Sequence, residues 1–235
     1  GEGFPRLSID AGANPITISG TVQTTDYNYV TSGTFTSTGS TFHFFCNNLI
    51  NLSCASGTKT LTFGAVTYNN LTFDGYSTNW DLNGSTIAVD GNLTMGDNDS
   101  SPSGERISNG TINVTGQNIT ANGYGYFGSA WVVAKGNAAG QTITGVTGRG
   151  FPMLKIEAGA NPVTLSGEIR TIEYTYVSSG AFTATGSTVY LYCSSTIGLG
   201  CATATKNIPF GNVTYNNIKL LGHDTIYDFG GQTVT

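Results

Sequence analysis

Val66-Thr67-Tyr68-Asn69-Asn70-Leu71-Thr72-Phe73 and Ile87-Ala88-Val89-Asp90-Gly91-Asn92-Leu93-Thr94-Met95 are the stretches on which the fold turns. In each, apolar residues alternate with polar ones on both sides of a corner made of Asn, Asp or Gly. A two-residue period places the apolar side chains on one face of an extended strand. Asn and Gly suit the corner because they accept left-handed backbone angles. A third line of the same kind runs through Ile112, Val114 and Ile119, and the step from line to line is about 21 to 26 residues. No helical periodicity interrupts the pattern. Short strands at a small fixed step predict an all-β protein, a parallel β-solenoid (β-helix) with stacked coils of roughly 21–26 residues around a thin continuous core. The competing architecture is a pair of tandem β-sandwich domains of immunoglobulin type, which needs a turn every 8 to 12 residues or so.

A longer repeat lies over this rhythm. At an offset of 147 residues, positions 3 to 88 fall on 150 to 235 without a gap, and 44 of the 86 pairs are identical. Ala11-Gly12-Ala13-Asn14-Pro15 meets Ala158-Gly159-Ala160-Asn161-Pro162, and Val66-Thr67-Tyr68-Asn69-Asn70 meets Val213-Thr214-Tyr215-Asn216-Asn217. One structural module is therefore used twice. The division is 1–149 for the first unit and 150–235 for a second, truncated copy continuous with it. Thr235 matches Ala88, so the expectation is a segment of a longer array. A 147-residue unit would hold six or seven coils, about 30 Å of rod at ~4.8 Å per coil.

Composition narrows the function. Thr (36), Gly (33) and Asn (21) dominate, whereas Lys and Arg number 9 and Asp and Glu 14, for a net charge of -5. Nine basic residues cannot form the stripe that nucleic acid requires, so no nucleic-acid partner is expected. No apolar run reaches the length of a membrane span, and no signal peptide is present in the chain as given. An apolar fraction of 38% argues against disorder.

The strings Ser32-Gly33-Thr34-Phe35-Thr36-Ser37-Thr38-Gly39-Ser40-Thr41-Phe42, Phe63 to Phe73, and Trp80-Asp81-Leu82-Asn83-Gly84-Ser85-Thr86-Ile87 resemble the coils of secreted microbial β-solenoid repeat proteins, the adhesin-like and filament-forming surface proteins of bacteria and archaea. The resemblance covers nearly the whole chain and is one of pattern. It implies an extracellular or cell-surface location and a non-enzymatic structural role: a rod-like segment of a stalk, fibre or adhesin that assembles end to end into filaments. It carries over no catalytic residue. Partners would be the protein itself, end to end or laterally, or surface glycans. The alternative is a carbohydrate-binding or polysaccharide-cleaving β-helix.

The cysteines agree with that compartment. Cys46 and Cys54 have the same separation as Cys193 and Cys201, which reads as one local disulfide per unit closing an excursion from a coil. A zinc site would be half filled by two thiolates, whereas disulfides fit an oxidising compartment.

Other candidates are weighed by recurrence between the copies. His43 aligns with Tyr190 and His223 with Tyr76, so neither histidine recurs and a nucleophilic triad has no support. Asp10 with Glu157, Asp26 with Glu173, Asp81 with Asp228 and Lys59 with Lys206 recur as scaffold features, Asp81 facing solvent between inward Trp80 and Leu82. Charges gather at Asp97-Asn98-Asp99-Ser100-Ser101-Pro102-Ser103-Gly104-Glu105-Arg106, where Asp97, Asp99 and Glu105 would ring a Ca²⁺. Pro102 stands where an EF-hand needs Gly, so a plain polar loop is the simpler reading. Tyr27 and Tyr29 recur as Tyr174 and Tyr176; residues two apart share a face, which is either an outward contact surface or core. Tyr124, Tyr126, Phe127 and Trp131 form a further aromatic patch. Nine glycosylation sequons begin at Asn51, Asn70, Asn83, Asn92, Asn98, Asn109, Asn113, Asn118 and Asn212, and Asn corners beside Thr-rich strands generate such triplets without any glycan.

Overall fold

The computed structural model describes residues 3–46, 57–75, 77–96, 105–123, 128–193, 205–222, 224–232 and 234. Over these residues the chain is a parallel β-solenoid of about eight turns, without helices. Three sides form each turn. The first stacks β3 (Thr21–Thr24), β6 (Thr41–Cys46), β9 (Asn70–Gly75), β12 (Leu93–Met95), β15 (Asn118–Ala121) and β17 (Gln141–Gly145), then the start of the long β19 (Val163–Ser178) and β20 (Phe182–Thr183). The second contains β7 (Gly57–Thr60), β10 (Thr78–Asp81) and β13 (Arg106–Ser108). The third stacks β8 (Thr67–Tyr68), β11 (Thr86–Val89), β14 (Thr111–Val114), β16 (Trp131–Ala134), β18 (Phe151–Glu157) and the end of β19. At the N-terminal end β1 (Leu7–Asp10) pairs with β4 (Tyr27–Thr31) and β2 (Ile16–Thr17) with β5 (Phe35–Thr36). At the other end β21 (Thr188–Cys193) and β23 (Asn217–Gly222) follow β19, and β22 (Thr205–Asn207) pairs with β24 (Ile226–Asp228).

Every pairing between these strands is parallel, as in Leu93 with Leu71 and with Ile119. Sandwiches of immunoglobulin type pair their strands antiparallel, so the tandem-sandwich alternative is overturned. Within the strand ladders register partners lie 19 residues apart at the shortest step, Ile16 with Phe35, and 29 at the longest, Phe42 with Leu71, while the isolated bridge of Asn28 with Thr62 spans 34. The turns are thus less uniform than the 21–26 read from the sequence. The 29-residue step recurs in the second copy between Val189 and Ile218.

The period-2 pattern does what it predicts. Leu71, Leu93, Ile119, Ile143 and Leu165 stack in register inside the first side, each at most 1% exposed. Burial of each such side chain contributes about 1.5–3 kcal/mol. Their outward neighbours form two ladders. Thr72, Thr94, Thr120, Thr144 and Ser166 are one row. At the adjoining corner the Asn70 amide donates to Ser40 O (2.9 Å), Asn92 N–H donates to Asn70 Oδ1 (2.8 Å), and the Asn118 amide donates to Asn92 Oδ1 (3.0 Å).

The two copies are built alike but do not occupy the same sides. Residues of β3 and β6 pair on the first side, Val22 with Phe42. Their counterparts, Ile169 and Val189, pair one side further on, because the preceding residues Val163 to Gly167 already occupy the first side above β17. Those residues correspond to Ile16 to Gly20, whose β2–β5 pair adjoins the third side, where Ser37 Oγ donates to Thr67 O (3.0 Å). One 147-residue unit therefore takes six turns and one additional side. Each unit is rotated by about a third of a turn relative to the one before it.

Candidate functional site

The recurring tyrosines lie mostly inside. Tyr27 and Tyr174 are fully buried. Tyr27 packs edge-on to Phe42, Phe44 and Tyr68, with ring centroids 5.5, 5.9 and 6.2 Å away. The hydroxyls of Tyr27 and Tyr68 meet at 3.1 Å, and those of Tyr174 and Tyr215 repeat the contact at 3.1 Å. Tyr29 and Tyr176 are half-buried against the core, bonded to Ser32 (2.7 Å) and Ser179 (2.9 Å). Each ring lies where a Cβ would project from Gly64 or Gly211, so both positions need glycine. Burial takes Tyr27 and Tyr174 out of the contact surface expected of Tyr27, Tyr29, Tyr174 and Tyr176, whereas Tyr29 and Tyr176 keep partly exposed rings. The first of each pair faces the same side as Leu7 or Leu154, in register with it, and the core covers it. Burial raises the phenol pKa in each hydroxyl pair, pushing Tyr68 up to about 12 and Tyr27, Tyr174 and Tyr215 above the usual tyrosine value as well.

Asp97, Asp99, Tyr124, Tyr126, Phe127, Cys54, Cys201, Asn51 and Asn98 lie outside the described residues. Glu105, the one described carboxylate of the expected calcium set, is 1% exposed. Among the described residues no group of three or more His, Cys, Asp or Glu has the arrangement of a metal site. Neither Cys46 nor Cys193 is a free thiol. Asp81 faces outward between buried Trp80 and Leu82, and its Oδ1 accepts from Asn83 N (2.8 Å) and the Asn109 amide (2.9 Å). Asp228 repeats the first of these bonds with Gly230 N (2.9 Å).

The sequon asparagines largely serve the corners. Asn83 and Asn109 have φ of 53° and 56°, the left-handed geometry that asparagine tolerates. Asn70, Asn92 and Asn118 form the ladder, Asn113 is half-buried on β14, and Asn212 is exposed.

The third side carries a groove of mixed polar and apolar lining. Trp131 stands outward and half-buried between Thr111 and Met153 in register. In the next row Asn113, Val133, Lys155 and Thr175 stack. Val133 points away from the core yet is only 4% exposed, because its larger neighbours overhang it. Beyond it Lys135 Nζ lies 3.2 Å from Glu157 Oε1, and Lys155 Nζ lies 2.8 Å from Glu157 Oε2. Hydrogen bonds from Lys155, then Lys135, hold the Glu157 carboxyl below the usual carboxylate range. The result is a trough of about 480 Å³ with an indole on one bank, a two-lysine, one-carboxylate cluster on the other, and a short-side-chain floor. Sequence reasoning had singled out Trp131 but missed Lys135 and Lys155. Adding the 22-residue register step to Val133 finds Lys155, but that step is known only from the structure.

No protein-family model, curated protein or solved structure matches the chain. The likeness to microbial surface proteins rests on the coil pattern alone.

Proposed function

We propose that this chain is a non-enzymatic extracellular structural protein, a rod-like segment of a surface stalk, fibre or adhesin that assembles end to end. One observation carries the reading: β19 continues the stack across the junction between the two units, joining β17 and β18 below to β20 and β21 above. A hinge or separate domain would break that ladder, whereas an unbroken one transmits load along the axis. Scarcity of charge, with only 10% of residues ionised, lets neighbouring surfaces approach. In this reading Cys46 pairs with Cys54 and Cys193 with Cys201, tying down the excursion within each 29-residue step and suiting a secreted location.

Inside the stack each strand is covered by the coil after it, as Phe73 is fully buried beneath Met95, and the parallel ladder that joins one coil to the next within the chain is the contact that end-to-end assembly would repeat between chains. Small-angle scattering tests the reading. Adding one complete 147-residue unit should lengthen the particle by about 30 Å at constant cross-section. A particle that grows in width, or that behaves as two jointed bodies, would sink the proposal.

A further inference from the structure

The groove beside Trp131 lies on the outer face of the third side, and its residue types are those that recognise sugars. We infer that it binds a glycan chain bearing uronic-acid residues, lying along the solenoid axis. Trp131 offers a partly exposed indole face, and the C–H face of a pyranose stacks on such a ring, an amphipathic contact that excludes water from one side only. Asn113 and Thr175 project into the trough from the strands above and below; an amide and a hydroxyl can each donate to and accept from sugar hydroxyls. The trough spans β14, β16, β18 and the end of β19. A sugar residue is about as long as the ~4.8 Å strand spacing, so successive residues of a chain fall beside successive coils.

Charge selects the acidic sugar. Lys135 and Lys155 both engage Glu157, leaving one net positive charge in the cluster on a chain whose net charge is -5. The lysines are about two-thirds buried, so their stems are fixed while the ammonium groups stay at the trough edge. A carboxylate on the sugar would take the remaining ammonium valences, and Glu157 would accept from a neighbouring hydroxyl. Phosphate alone lacks the face that Trp131 needs, and a neutral glycan leaves the spare charge unused.

Tryptophan fluorescence provides a direct assay, since Trp80 is fully buried and serves as an internal reference. Titration with an oligogalacturonide should shift or quench the emission saturably. Trp131→Phe should abolish that signal, and Trp131→Ala should weaken calorimetric affinity about tenfold or more. Lys155→Gln should bring affinity for the acidic oligomer down to that for its carboxyl-reduced neutral counterpart. Both residues face outward, so circular dichroism should show each variant folded; Thr175→Ala, a smaller change in the same trough, gives an independent loss if one does not fold. Absence of binding to the acidic oligomer, equal affinity for the neutral one, equal competition by inorganic phosphate, or unchanged binding by folded Trp131→Ala would each overturn the inference. The rod reading stands or falls separately, on scattering.

Discussion

At the scale of single residues, the buried hydroxyl pairs matter most. Tyr27→Ala removes a ring that touches four aromatic neighbours and should cost about 3–5 kcal/mol in urea unfolding. Tyr27→Phe keeps the ring and deprives Tyr68 of one partner, for about 1 kcal/mol. A Tyr27→Ala protein as stable as the parent would place the ring outside the core. Alkali provides a second check. Burial favours the neutral phenols, so their stabilisation is complete below the ordinary tyrosine value of about 10 and is lost as pH rises through the raised folded values, for Tyr68 about 12. Above pH ~10 stability should fall by about 1.4 kcal/mol per pH unit for each such group. Denaturation midpoints from pH 8 to 12, read beside tyrosinate absorbance, measure this; four tyrosines ionising at their ordinary value in a folded chain would contradict it. Alternation in the sequence had placed Tyr27 and Tyr29 on one face. It could not say which face, because Val30 and Val177, both more than half exposed, are as apolar as the residues inside.

At the scale of the element, the corners and ladders decide whether coils stack. Asn92 links Asn70 below to Asn118 above. Asn92→Ala should cost about 1 kcal/mol and leave the shape unchanged. The corner of the next coil is tighter: a Cβ on Gly116 would run into the carbonyl of Gly91. Gly116→Ala should therefore cost more, about 1–3 kcal/mol as the coils part, seen as a lower melting temperature and faster amide exchange in β14 and β15. If Gly116→Ala proved milder than Asn92→Ala, the close approach of these corners would be in error. These corners were legible as Asn and Gly between period-2 strands. Their bonding partners were not, since each lies a whole coil away.

For the whole molecule, the unit length governs what recurs on the surface. Because 147 residues take six turns and one side, equivalent surface positions in consecutive units face directions about a third of a turn apart. Three units would bring a surface feature back to its starting side. End-to-end assembly gives a prediction at this scale: sedimentation should show concentration-dependent lengthening of the particle. Sedimentation independent of concentration would contradict it.

The sequence by itself determined the strands, their corners, the all-β parallel coil and the reuse of one module, because alternation and turn chemistry act within a few residues of one another. Only the tertiary structure decided that Tyr27 and Tyr174 face inward, that the second unit is turned by one side, and that Trp131 shares a trough with Lys155 and Glu157. Those outcomes depend on how many residues each turn consumes, 19 in one place and 29 in another. A one-residue difference in a turn reverses which side chains meet the core. Such lengths accumulate along the rod and are fixed only when every coil has settled on the one beneath it.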